Sequence, residues 1–225
     1  HSLEFIQASV SVEFHRPDNV LARVQRLMNA ARETWFSLTQ SPPNTHLLWL
    51  NLYLETLALG ANAIAGLIGP NLTPRRFLQT FNQRVITLGV PQLITGFFGL
   101  LGFSEDSRGS FSGWADGFEA DYHHLLQTTQ PPKHLAECRQ AYYTQGIRAL
   151  IAEETPDHAI WPLLRTWLDL HLAMPEPSPG SEAWNDCLTS LNLTEERAEQ
   201  KTEALDAYLD TLEINIETWA EAYGI

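Results

Sequence analysis

Residues 45–68 read THLLWLNLYLETLALGANAIAGLI, and this stretch decides the fold. Its apolar residues fall on every side of a 3.6-residue period, so it reads as a helix buried all round, at the centre of a helical bundle. A membrane-spanning helix is the competing reading for an apolar run of this length. Asn51, Glu55 and Asn62 argue against it, because hydrocarbon penalises each of them heavily. The second apolar run, Val90–Phe103, is too short to span. No membrane partner is therefore expected.

The segments on either side agree with a bundle. Upstream, Ser41-Pro42-Pro43-Asn44 is a break, and before it Val20, Leu21, Val24, Leu27, Met28, Ala31, Trp35 and Leu38 form one apolar stripe on a helix opened by Pro17. Downstream, Gly69-Pro70 ends the central helix, and Thr73 is expected to cap a third one with Pro74 in its first position. Gly89 closes that helix and Pro91 opens a fourth, to about Gly102. Further helices are expected over Trp114–Thr128, Lys133–Ala152 and Pro156–Met174, the last capped by Thr155. A short one follows near 182–191, then a long one capped by Thr194 and stopped by Gly224. The expected fold class is thus all-α, a bundle of roughly eight helices by periodicity.

The first residues read differently. Ile6, Ala8, Val10, Val12 and Phe14 alternate with Gln7, Ser9, Ser11 and Glu13, the period of a half-buried strand. Leu3, Ile6, Val10 and Phe14 also fit helical spacing, so both readings stand. A lone strand leaves its own N–H and C=O groups without a ladder. Extended, this segment would pair with a second copy in a homodimer, or with the sheet of another domain. The organisation expected is an extended segment 1–16, a helical subdomain 17–103, a Gly/Ser-rich flexible loop 104–113, and a helical subdomain 114–225 ending in an acidic helix.

Composition narrows the function classes. Of the 225 residues, 44% are hydrophobic and 7 are Trp, ample for a core, while the two cysteines exclude a disulfide scaffold. The net charge is -13, and residues 151–225, with 3 Lys/Arg against 16 Asp/Glu, carry all of it. Nucleic acid is therefore not an expected partner. An acidic helix face is ordinarily solvated; the alternative is docking of a basic partner. No secretory leader pattern opens the chain, so a cytoplasmic location is expected.

Candidate chemistry is sparse. Glu119 and His123, with His124 adjacent, are i,i+4 on one helix, as are His134 and Cys138. Two such pairs fall short of the repeated Glu-x-x-His pattern of a bundle metal centre, so no metal and no cofactor is expected. No phosphate-loop, zinc-protease or nucleophile-elbow motif is present, no catalytic residue is assigned, and enzyme activity is not expected. Arg75 and Arg76 follow an expected cap, where guanidiniums and free N–H groups could hold a phosphate; two exposed arginines are the plainer reading.

The most distinctive string is Glu154-Thr155-Pro156-Asp157-His158. Tyr142-Tyr143 and Gly146 precede it, and an apolar helix with Trp161, Leu163-Leu164 and Trp167-Leu168 follows. Helix-start chemistry alone accounts for Thr-Pro-Asp. The pattern across residues 142–168 also resembles the TorD/DmsD (NarJ-like) chaperones of molybdoenzyme maturation. That resemblance implies an all-helical cytoplasmic accessory protein holding an apolar peptide. Asp157 and His158 would then match the family's motif residues, with Tyr142, Tyr143 and Trp161 nearby. The order of strand, Pro-started helix and apolar bundle is similar to the C-terminal part of some bacterial nucleotidyltransferases, although the Gly-Ser and Asp-x-Asp signature is missing here. A heme-oxygenase-like helical metalloenzyme is a third reading.

Overall fold

The computed structural model describes residues 14–40, 43–153, 155–174 and 178–225. Among these the protein is all-α: α1 (Pro17–Gln40), α2 (His46–Gly66), α3 (Phe77–Thr87), α4 (Gln92–Leu101), α5 (Phe111–Thr128), α6 (Glu137–Ile151), α7 (Ile160–Ala173), α8 (Ser181–Ser190) and α9 (Ala198–Ala222). The strand expected over 5–14 lies, except for Phe14, outside the described residues.

Helix α2 is central, as its all-round apolar sequence requires. Twelve of its 21 residues are buried, too many for one face. It packs most extensively against α1 and also touches α3, α7 and α9. This helix is long and apolar enough to cross a membrane, and the bundle covers more than half of it. Each burial of a side chain such as Leu50, Leu54 or Leu57 contributes about 1.5–3 kcal/mol. The polar residues of α2 are accommodated. Glu55 is exposed. Asn62 donates to the Ala58 carbonyl at 2.8 Å and accepts from the Leu72 N–H at 2.7 Å, which ties down the chain after the helix.

Helices α1, α2, α4 and α9 form one group, and α5, α6, α7 and α8 a second. Contacts of α7 with α2 and α3 join the two groups in one continuous core, and α9, the last helix, packs with the N-terminal helices. Close approach needs small residues at the joints. A Cβ at Gly102, which has φ +70°, would lie 1.7 Å from the Leu191 carbonyl oxygen, so glycine both ends α4 and admits the turn before α9.

Local readings differ at the helix starts. Thr45 caps α2 as a hydroxyl should, accepting from the Leu48 N–H at 3.3 Å. Thr73, Thr155 and Thr194, expected to cap, do not bond a helical N–H through their side chains. Each instead leads a 3-10 turn, Pro74–Arg76, Pro156–Ala159 and Glu195–Arg197, that winds into the helix behind it. In two of these turns the threonine carbonyl, not the hydroxyl, satisfies a freed donor: His158 N–H bonds Thr155 at 3.3 Å and Arg197 N–H bonds Thr194 at 3.1 Å. The loop expected over 104–113 is a 3-10 turn at Glu105–Ser110 with Ser107 buried, and α5 already starts at Phe111, whose ring is in the core.

Candidate functional site

The residues singled out from sequence fall into three places. Arg75, Tyr142 and Tyr143 come together around a small crevice with Gly146, Pro162 and Thr166. The Arg75 guanidinium sits 5.9 Å from the Tyr142 ring centroid, and a Cβ on Gly146 would be 3.4 Å from its Nε. Arg76 is exposed on the same turn. Arg76 is the N-cap residue of α3 and Arg75 precedes it on the 3-10 turn, so both stand at the start of that helix. Asp157 binds elsewhere: the Arg108 guanidinium grips its carboxylate through two bonds of 2.6 Å. His158 is half-buried, its Nδ1 3.2 Å from the Thr155 hydroxyl, and burial lowers its pKa against the pull of Asp157 and Glu153. Trp161 is a core residue stacked on Phe77 at 4.4 Å, not a surface group.

Residues of the two i,i+4 pairs have other partners. Glu119 pairs with Arg148 at 2.8 Å, His123 bonds Gln127 at 2.8 Å, and His134 lies 3.8 Å from Asp169. Among the described residues no three His, Cys, Asp or Glu side chains group so as to hold a metal ion.

Two clefts that sequence reasoning missed flank the N-terminal half of α9. The first, about 540 Å³, lies between α1, α2 and α9. Trp35, Leu38 and Trp49 supply its apolar floor; Glu199, Glu203 and Asp206 stand along the α9 side. Both indoles are fixed. Trp35 Nε1 donates to the Thr202 carbonyl and Trp49 Nε1 to the Thr202 hydroxyl, each at 3.2 Å. Trp49 is further held in a stacked column, 5.3 Å from His46 and 5.0 Å from Tyr53. His46 is anchored through Nε2 to the Leu193 carbonyl at 2.8 Å. The acidic rim continues along α9 as Asp210 and Glu213, which share Arg32 with Asp206.

The second cleft, about 650 Å³, opens on the other side of α9, against α4. Gly99 lines it from α4; Arg197, Lys201, Ala204, Ala207 and Tyr208 line it from the α9 side. Lys201 is buried at 9% exposure and donates to the carbonyls of Leu100 at 2.9 Å and Gly99 at 3.2 Å. Desolvation pulls its pKa down to about 8.

A third polar feature is buried beneath the Gly180 backbone. Asp121 is fully buried in α5. Its carboxylate accepts from Trp167 Nε1 at 2.7 Å and from the Gly180 N–H at 2.6 Å, and lies 3.2 Å from His171 Nε2. Burial works to raise its pKa, but the bonds from His171, Trp167, Gly180 and Ser178 outweigh it and hold the carboxyl below the usual range. This node joins α5, α7 and the start of α8.

The chain matches no family model, no curated protein and no solved structure.

Proposed function

We propose that this protein is a helical binding or accessory protein that holds an apolar peptide segment bearing positive charge in the α1–α2–α9 cleft. The observation that carries this reading is the cleft itself: rigid indoles and a leucine at its base, with carboxylates on the rim. An apolar floor supplies affinity by area, and fixed aromatic rings supply it at little entropic cost. The carboxylates select for cations and speed their approach. The charge distribution supports it as well, since the C-terminal third carries the whole -13.

Fluorescence titration with a synthetic Leu/Ala-rich helical peptide flanked by lysines tests the reading. Trp35 and Trp49 should report binding, and the change should diminish in Trp35→Phe. Glu199→Gln with Glu203→Gln should weaken affinity about tenfold, roughly what two rim charges are worth. A glutamate-flanked version of the peptide binding equally well, or no binding of either, refutes it.

A further inference from the structure

The cleft between α4 and α9 has a chemistry opposite to that of the rest of the C-terminal third. Residues 151–225 contain three cationic side chains, Arg165, Arg197 and Lys201, and two of them line this cavity. No aspartate or glutamate is among its lining residues, although α9 is rich in both. The reason is register: Arg197, Lys201, Ala204 and Tyr208 follow one helical stripe, and the carboxylates follow another.

Lys201 could be explained as a cap on the last carbonyls of α4. That role uses two of the three N–H donors of the ammonium and leaves one. It does not account for Arg197, an exposed lining residue whose one side-chain bond among the described residues is to Gln200 Oε1 at 3.1 Å, or for the open space beyond Gly99, where an added Cβ would meet no atom within 4 Å. The end of the cavity that Arg197 and Lys201 line lies at the N-terminal end of a 25-residue helix, where the partial charge is positive. Two cations and a helix start match a dianion, and the planar Arg fork fits phosphate oxygens. A volume of about 650 Å³ far exceeds a bare oxyanion and falls in the range of small-molecule sites.

We propose that this cavity binds a phosphate monoester, its dianion held by Arg197 and Lys201 and its organic group lying along Ala204, Ala207 and Tyr208. This site is separate from the peptide cleft and does not depend on it.

Calorimetric titration of the full chain with phenyl phosphate tests the proposal, with inorganic phosphate and benzoate in parallel. Phenyl phosphate should bind at least fivefold more tightly than either. Because Lys201 also seats α4, the deciding variants are Arg197→Gln and Gly99→Leu, which leave that seat in place. Arg197→Gln should weaken phenyl phosphate at least fivefold, and Gly99→Leu, which fills the cavity from a position with room for the side chain, should abolish binding. Absence of binding in the wild type, or unchanged affinity in both variants, overturns the site. Benzoate binding equally well overturns the phosphoryl assignment, and inorganic phosphate binding equally well overturns the organic half of the ligand.

Discussion

Replacing Asp121 with alanine should be among the most damaging single changes in the chain. The carboxylate is fully buried and is the acceptor for the Trp167 indole and the Gly180 amide, with the His171 ring beside it. Alanine leaves the Trp167 indole and the Gly180 amide without this acceptor. A buried donor without a partner costs about 1–3 kcal/mol, and breaking a buried charged network costs about 3–5 kcal/mol because such terms do not simply add. For a chain of this size, a loss of 3–5 kcal/mol lowers the melting temperature by roughly 6–20 °C. Asp121→Asn should fall between, since its NH2 must face one of the donors that the carboxylate satisfied. Asp186→Ala is the control. Asp186 also accepts from an indole, Trp114 Nε1 at 2.7 Å, but it is exposed, so water can take its place and the loss should stay near 1 kcal/mol or less. Differential scanning calorimetry reads all three. The sign with pH follows from the lowered pKa. The contribution of Asp121 is present above the unfolded value near 3.9 and is lost as pH falls through its lower folded value, so wild type and Asp121→Ala should converge only in strong acid. An alanine variant melting within about 3 °C of wild type, or no lower than Asp186→Ala, would refute the reasoning.

Gly117→Ala should destabilise by about 1–3 kcal/mol, read by urea denaturation, because its Cβ would stand 2.5 Å from the Ala183 Cβ and 3.1 Å from the Trp167 ring. Lys201, with a folded pKa of about 8 against about 10.4 unfolded, penalises the folded state most at and below pH 8. Wild type should therefore gain about 2 kcal/mol relative to Lys201→Met between pH 8 and 10, measured in phosphate-free buffer; a flat difference refutes the shift. Cys138 is exposed, while Cys187 is buried and its thiol pKa is pushed up by burial. Ellman's reagent should titrate one thiol in the native protein and the second only on unfolding.

What was legible in the sequence was whatever repeats at short range. The all-round apolar character of 45–68 gave the central helix because periodicity reports burial directly. Gly89, Gly102 and Gly224, read as helix stops, all have positive φ, a conformation that glycine alone adopts cheaply. Threonine before proline misled, because the same letters serve an α-helical cap and a 3-10 start, and only the backbone of the next turn separates them. Trp161 misled for a related reason: an aromatic residue beside a polar string looks functional, yet it sits on the apolar period of α7 and packs with Phe77 and Phe97. The Asp121 node was invisible because its partners stand 46 and 59 residues away in the chain. One signal for the clefts was available. Glu199, Glu203, Asp206, Asp210 and Glu213 recur at steps of four and three, as do Arg197, Lys201, Ala204, Tyr208 and Thr211. Summing charge over the segment hid both stripes.

Those stripes also explain why α9 can serve two clefts of opposite character. Residues at i,i+3 and i,i+4 share a face, so a helix with two interleaved sets presents one chemistry to each neighbour. Like charges at that spacing repel by a few tenths of a kcal/mol per pair, and the acidic stripe relieves this at one end only. Arg32 of α1 reaches Asp206, Asp210 and Glu213. Among the described residues no cation pairs with Glu199 or Glu203, which stand above Trp35 and Trp49. A protein that solved the repulsion along half a helix and left it at the apolar cleft has concentrated uncompensated negative charge where apolar area is also open. Local sequence rules are commonly broken where a ligand restores the balance. A cation entering with an apolar segment would satisfy both at once, and neither a purely acidic nor a purely apolar surface would distinguish that segment from its competitors.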